Sequence, residues 1–261
     1  WLIEPLVTPG AVLVVFGPRE AGKTQLFFTM FRSLAEGIPL LGRFPAAKAR
    51  VALVEVDMTV ITTKERLVRA KQEFTFEDDQ LLIATPNMSN ILMVNQTADW
   101  VTKVREFKPD VVAFDSLRKI HSEDESNPST PSKVYSKCRQ LFPGASLWFA
   151  HHVKKPPATW LMEKENYDPG EDTNVYRGTT AWLDDADASV YLHKDAKSDK
   201  RSFRLVRARY APDEVKREVI GVSMAKGSLF LSTGELSPQQ AAIHFVVSNP
   251  KADLEMVVDN L

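Results

Sequence analysis

Eight consecutive residues, Gly17-Pro18-Arg19-Glu20-Ala21-Gly22-Lys23-Thr24, set two glycines, a lysine and a hydroxyl at fixed spacing. The pattern is G-x-x-x-x-G-K-[ST], and its chemistry is phosphate binding. Glycines let backbone N–H groups curl round phosphate oxygens, and a helix opening at Lys23 would add the positive end of its dipole. Lys23 would reach the β and γ phosphates of ATP, and Thr24 would offer its hydroxyl to the accompanying Mg2+. A glycine-rich turn that merely joins strand to helix is the alternative. The apolar run before the loop and the helical run after it favour the phosphate site.

Three further groups could act on such a ligand. Asp115 ends the apolar run Val111-Val-Ala-Phe114, the carboxyl end of a strand, where α/β sheets place ligand-handling groups. With a phosphate loop upstream it reads as the magnesium-holding acid, and otherwise as a solvated strand-end Asp. Glu55 lies inside the apolar run Val51-Ala-Leu-Val-Glu-Val56, and burying an acid is costly unless it faces a partner or a ligand. His151-His152 follow another apolar run. A histidine can donate to phosphate and titrates near neutrality. A histidine pair also suits a metal, but no Cys or third His lies nearby in the sequence, so zinc is not expected.

These groups need strands and helices to hold them. Ala11 to Phe16, Val51 to Val56, Leu81 to Ala84, Val111 to Phe114 and Ser146 to Ala150 read as buried strands. Helices are expected from Lys23, with Leu26, Phe27, Met30, Phe31 and Leu34 on one stripe and Gly37 as the cap, then at Thr62 to Phe74, Ala98 to Phe107 and a segment ending near Phe142. The alternation is that of an α/β fold with a mostly parallel central sheet. Ala188 to His193, Ser202 to Arg209, Val215 to Met224 and Ser228 to Ser232 read as antiparallel strands completing its C-terminal side. Residues 1–233 are expected to form one domain. Residues 234–261 read as two short helices broken at Asn249-Pro250, a helical extension that could open a helix-turn-helix module. Between Val153 and Tyr176 runs a long polar connection, the kind that serves as a binding loop.

Composition narrows the setting. The chain of 261 residues is 44% apolar and 26% charged with a formal net charge of −1, so a nucleic-acid partner would be met by local basic clusters. Lys154, Lys155 and Lys164 on the long loop, Lys119 and His121 after the Asp115 strand, and Trp160 as a stacking platform are the candidates. A solvated lid is the alternative for that loop. The single cysteine, Cys138, fits a reducing compartment, and no membrane span or secretory signal is visible. A cytoplasmic protein is expected. The sequence opens at Trp1 without an initiator Met, which suggests a piece of a longer chain with replication domains fused or associated.

The span from Trp1 to about Ser232 resembles the RecA-like hexameric ATPases, specifically the plasmid RepA-type and DnaB-type replicative helicases. Leu34-Ala-Glu-Gly-Ile-Pro-Leu-Leu-Gly-Arg-Phe44 looks like the RepA-type branch, and Tyr176-Arg-Gly-Thr-Thr-Ala-Trp-Leu-Asp-Asp-Ala-Asp187 like the DnaB-type segment after the mobile loop. The resemblance implies a RecA-like phosphate-loop core. With Arg66-Leu67 as anchor, it puts Asp57 where the family has its catalytic glutamate, one methylene shorter, with Glu55 as substitute. It makes His152 the γ-phosphate sensor. Arg207 and Arg209, in Leu205-Val-Arg-Ala-Arg-Tyr-Ala-Pro212, match the pair that reaches a neighbouring subunit's nucleotide, and strand alternation would put both on one face. Without the resemblance they read as a basic edge strand. The implied protein is a homo-oligomer, a hexameric ring that hydrolyses ATP between subunits and moves along single-stranded DNA. A nucleotide switch or DNA-annealing module with weak hydrolysis, and a filament-forming recombinase, are the alternatives.

Overall fold

The computed structural model describes residues 1–74, 77, 79–153, 178–195, 200–216, 218–225 and 228–234. Its centre is β1 (Val12–Gly17), in which every residue is buried. A strand with no polar face cannot lie at an edge, and β1 sits inside a nine-stranded sheet. The other strands are β2 (Val51–Glu55), β3 (Leu81–Ala84), β4 (Val111–Asp115), β5 (Ser146–His152), β6 (Ala188–Lys194), β7 (Arg201–Ala208), β8 (Val219–Ser223) and β9 (Ser232–Thr233). Their order is β3-β2-β4-β5-β1-β6-β7-β8-β9. All pairs from β3 to β6 are parallel, and β6 to β9 are joined antiparallel. The expected mixed α/β architecture is the one observed.

Alternation along the strands divides the core into two layers. Leu13 and Val15 of β1, Leu53, Ala113 and Trp148 face α1 (Lys23–Glu36), while Val12, Val14, Phe16, Phe114 and Phe149 face α3 (Asp99–Phe107) and α4 (Thr130–Leu141). α2 (Val60–Glu73) lies on the α1 side, where only its Thr63 and Ala70 are buried. α1 is buried more widely than one stripe, because Phe28, Thr29 and Ser33 are covered as well. Part of the cover comes from Phe230, whose ring meets Phe28 edge-on at 6.5 Å. The helix ends at Gly37, in the left-handed region at φ 71°, with its N–H donating to Ser33 O. No helix among the described residues is long and apolar enough to cross a membrane.

Two of the C-terminal strands differ from expectation. Asp213–Lys216 form a short helical turn, α6, whose Lys216 N–H donates to Pro212 O, and β8 begins only at Val219. Pro212 followed by two acids suits a helix start better than a ladder. Leu229, Phe230 and Leu231 are buried without joining the sheet. The Leu229 N–H donates to the Glu73 carboxylate and the Leu231 N–H to Thr29 Oγ1, so side chains of α2 and α1 satisfy this backbone instead of a strand. The residues after 234, read as a helical extension, and most of the long polar connection lie outside the described residues.

The chain beyond that connection is anchored by α5 (Ala181–Asp184). The buried Tyr135 hydroxyl of α4 donates to Trp182 O at 2.7 Å. Removing one such buried donor costs about 1–2 kcal/mol. Tyr135→Phe should therefore lower the urea midpoint by that amount at unchanged slope, and an unmoved midpoint would show that the bond holds nothing.

Candidate functional site

The parallel strands deliver their carboxyl ends to one edge of the sheet. Glu55 and Asp115 are register partners on β2 and β4, and Gly17 and His152 are register partners on β1 and β5. Residues far apart in the sequence are thus brought into one row beside the glycine loop. Gly17 packs so closely on β6 that a Cβ would run into the Leu192 carbonyl oxygen. Gly22, at φ 103°, makes the left-handed turn into α1. No described side chain caps α1, and its first turn has no acid. A helix start left uncapped and free of negative charge suits an external anion.

Lys23 is buried, and its Nζ donates to Gly17 O at 3.0 Å and Pro18 O at 2.8 Å. Burial lowers its pKa to about 8, against the opposing pull of Asp115. Thr24 Oγ1 donates to Asp115 Oδ2 at 2.6 Å. Burial raises the pKa of Asp115, and the bond from Thr24 and the charge of Lys23 act in the opposite direction. A hydroxyl and a carboxylate in contact are hard oxygen donors, and Mg2+ held by one or two protein groups plus phosphates and water needs no more. The residues present fit that ion.

The two candidate acids after β2 separate by environment. Glu55 is 2% exposed. Its Oε1 accepts from the Asp57 N–H at 2.9 Å and the Met58 N–H at 3.1 Å, which fixes the turn that presents Asp57. Burial, and then the neighbouring Asp115, raise its pKa to about 7. Asp57 is exposed, lies 3.8 Å from Lys119 Nζ, and acts electrostatically on both Lys23 and Asp115. Asp57 faces the loop, while Glu55 supports it from behind. Arg66, used above only as an anchor of register, tempers both Glu55 and Asp115. Its spacing from the buried Thr63 and Ala70 puts it on the inner face of α2, a signal visible in the helix period.

His152 is half-buried beside Gly17, whose carbonyl accepts from the Val153 N–H. His121 departs from the nucleic-acid expectation. It is 2% exposed and stacked on Trp182 with ring centroids 5.3 Å apart, so it cannot touch a strand of DNA. An apolar contact with Trp182, which also meets His151 at 5.9 Å, won over the polar sequence around it. Lys119 is exposed but shares its charge with Asp57. Lys154, Lys155, Trp160 and Lys164 lie outside the described residues.

Arg207 and Arg209 stand at the other end of the sheet. β7 begins at the loop, where Arg201 Nε donates to Ala21 O. It then runs back antiparallel to β6 until Ala208 lies opposite Ala188. Arg207 is therefore about 20 Å from the phosphate loop of its own chain. Arg209 falls one residue beyond β7, and a register shift opposite Ser189 and Val190 interrupts the expected alternation. Arg207 pairs with Asp184 at 3.1 Å and Arg209 with Asp187 at 3.4 Å, both at exposed positions.

The Glu55 environment sets a pH dependence. The folded chain binds this proton more tightly than the unfolded one, so the contribution is full below pH 4.5 and is lost as pH rises through about 7. Its size is on the order of 3 kcal/mol. Glu55→Gln keeps an acceptor for the two N–H groups and should shrink the stability difference between pH 5 and pH 8 by about 2–3 kcal/mol in urea titrations. An unchanged difference would assign the dependence elsewhere.

Comparison with known proteins agrees with this geometry. The AAA domain family matches residues 1–158, the span that holds the loop, both acids after β2, Asp115 and His152. Among solved structures, the ATPase domain of a helicase superposes with a TM-score of 0.60 at 12% identity, covering 87% of this chain and 85% of that one. The RadB recombinase superposes with a TM-score of 0.54 at 18% identity, covering 87% of this chain and 92% of that one. No curated protein matches the sequence. With its phosphate loop at the head of a mostly parallel sheet and antiparallel strands behind it, the chain is a RecA-like ATPase domain and belongs to the AAA domain family.

Proposed function

We propose that the chain is the ATP-hydrolysing unit of a ring-forming motor, a hexamer that moves along or unwinds DNA as a replicative helicase does. The observation that carries this reading is the separation of the arginine pair from its own phosphate loop by the length of β7. Two exposed arginines at the far end of the sheet can serve a nucleotide only in another copy. Similarity to the ATPase domain of a helicase and to the RadB recombinase supports an oligomeric, DNA-associated role.

In this reading Lys23 and the N–H groups at the start of α1 bind the triphosphate, and Thr24 and Asp115 hold Mg2+. The ion, when bound, bridges phosphate oxygens and neutralises their charge. Asp57 orients the attacking water, Glu55 fixes the Asp57 backbone, and His152 donates to the γ phosphate. Arg207 and Arg209 leave Asp184 and Asp187 to stabilise charge on the neighbour's phosphoryl group. Exposed ion pairs of that kind are worth less than about 1 kcal/mol, so the exchange is cheap.

A second reading, a nucleotide switch or recombinase with slow hydrolysis, is favoured by one observation. Asp57 is a methylene short and already engaged with Lys119. Turnover measured with and without single-stranded DNA separates the two, because tight nucleotide binding with no stimulation would overturn the motor. Lys23→Ala should abolish nucleotide binding. Arg209→Ala should keep binding and lower turnover by about a thousandfold. Mixed one to one, the two variants should regain turnover at about a quarter of the interfaces, since each supplies what the other lacks. Failure of that rescue would rule out an arginine acting across an interface.

A further inference from the structure

The described large apolar residues that stay exposed gather mainly in two places. Val60, Ile61 and Val68 are 48%, 72% and 58% exposed on α2, and Trp1 and Tyr210 are 45% and 64% exposed and touch each other edge-on at 6.2 Å. Ile61 and Val68 are two helical turns apart and share a face, with Val60 beside them at the start of the helix. Apolar side chains grouped on a surface in this way mark contact surfaces, whereas single ones need no explanation.

Their positions in the fold differ in a specific manner. α2 starts just past Asp57, so Val60 and Ile61 stand at the carboxyl edge of the sheet, next to the phosphate loop. Tyr210 directly follows Arg209, whose N–H donates to Asp187 O at the amino edge, where Asp187 also receives the Val12 N–H at 2.9 Å. The two patches therefore lie at opposite ends of the sheet. They are also offset sideways by the five strand spacings from β2 to β7, about 24 Å. One chain cannot bring them together, but a second copy placed end to end can. Two different patches on one molecule that fit each other make a head-to-tail contact, which closes into a ring if the rotation allows.

We infer that the Trp1–Tyr210 pair of one copy seats on the Val60, Ile61 and Val68 face of α2 in the next, as the apolar anchor of a head-to-tail interface. This contact rests on the oligomeric reading above and gives it its docking surface. Charge points the same way. The anchor at the amino edge is flanked by Arg207 and Arg209, and the receiving end by the exposed Asp57 and by whatever phosphate the loop holds. Asp184 and Asp187 beside the arginines, and Arg19, Lys23 and Lys119 near the loop, are counter-charges on each side. Because Arg209 and Tyr210 are consecutive, seating Tyr210 on Ile61 delivers Arg209 to the vicinity of the neighbour's phosphates. An aromatic anchor at the centre of such a contact contributes most of its energy.

The test is sedimentation of the full chain with adenylyl imidodiphosphate and Mg2+, beside binding of a fluorescent nucleotide. Ile61→Asp and Tyr210→Lys alter exposed side chains and should leave nucleotide affinity within about twofold. Each should raise the concentration for half-assembly by more than about tenfold. The double variant, in which every interface sets an aspartate against a lysine, should regain much of the loss. Single variants that assemble like the parent overturn the contact, and if Arg209→Ala still abolishes turnover the ring reading stands without it. Single defects with no recovery in the double variant overturn the pairing of these two patches. A parent chain that stays monomeric at tens of micromolar overturns both the contact and the ring.

Discussion

The hydrogen bond from Thr24 to Asp115 joins two segments that the chain forms independently, the first turn of α1 and the end of β4. Each is positioned by its own packing. α1 is held by aromatic contacts on Trp148, with Phe31 stacked at 6.2 Å, and β4 by the strands on either side. The bond forms because both arrive at the same edge of one sheet. It also offsets part of the cost of burying a carboxyl group next to Glu55, which is why a pair of acids can be kept in an apolar setting. Loosening either element would leave Asp115 without its donor and the site without its metal-holding pair.

Much of this edge was legible in the sequence for a physical reason. Parallel strands buried on both faces write continuous apolar runs, and Val12 to Gly17, Val51 to Glu55 and Val111 to Asp115 each end where such a run meets a polar residue. The loop at Gly17 to Thr24 is read from residue types that the chemistry requires. Strand order is another matter. Nothing in the local pattern says that β5 lies between β4 and β1, so the adjacency of His152 to Gly17 appears only in the fold.

The misreadings concern groups whose environment is made by distant residues. Leu229 to Leu231 have the composition of a strand, but α1 and α2 offer acceptors that a strand partner would otherwise supply. His121 sits in a polar stretch and is drawn inward by the Trp182 ring, a contact across some sixty residues of sequence. Glu55 and Asp57 look interchangeable by spacing. Burial and two backbone donors separate them into a support and an exposed acid.

The posture of Lys23 has a thermodynamic corollary. Its ammonium rests on the carbonyls of Gly17 and Pro18 in a dry setting, and its pKa of about 8 leaves it partly uncharged in mildly alkaline solution. A polyanion arriving beside it favours the charged form. Ligand capture is thereby coupled to proton uptake, and affinity falls with alkalinity once the empty loop has given up its proton. The cradle behaves as an ion exchanger, taking a proton and a phosphate chain together and releasing them together.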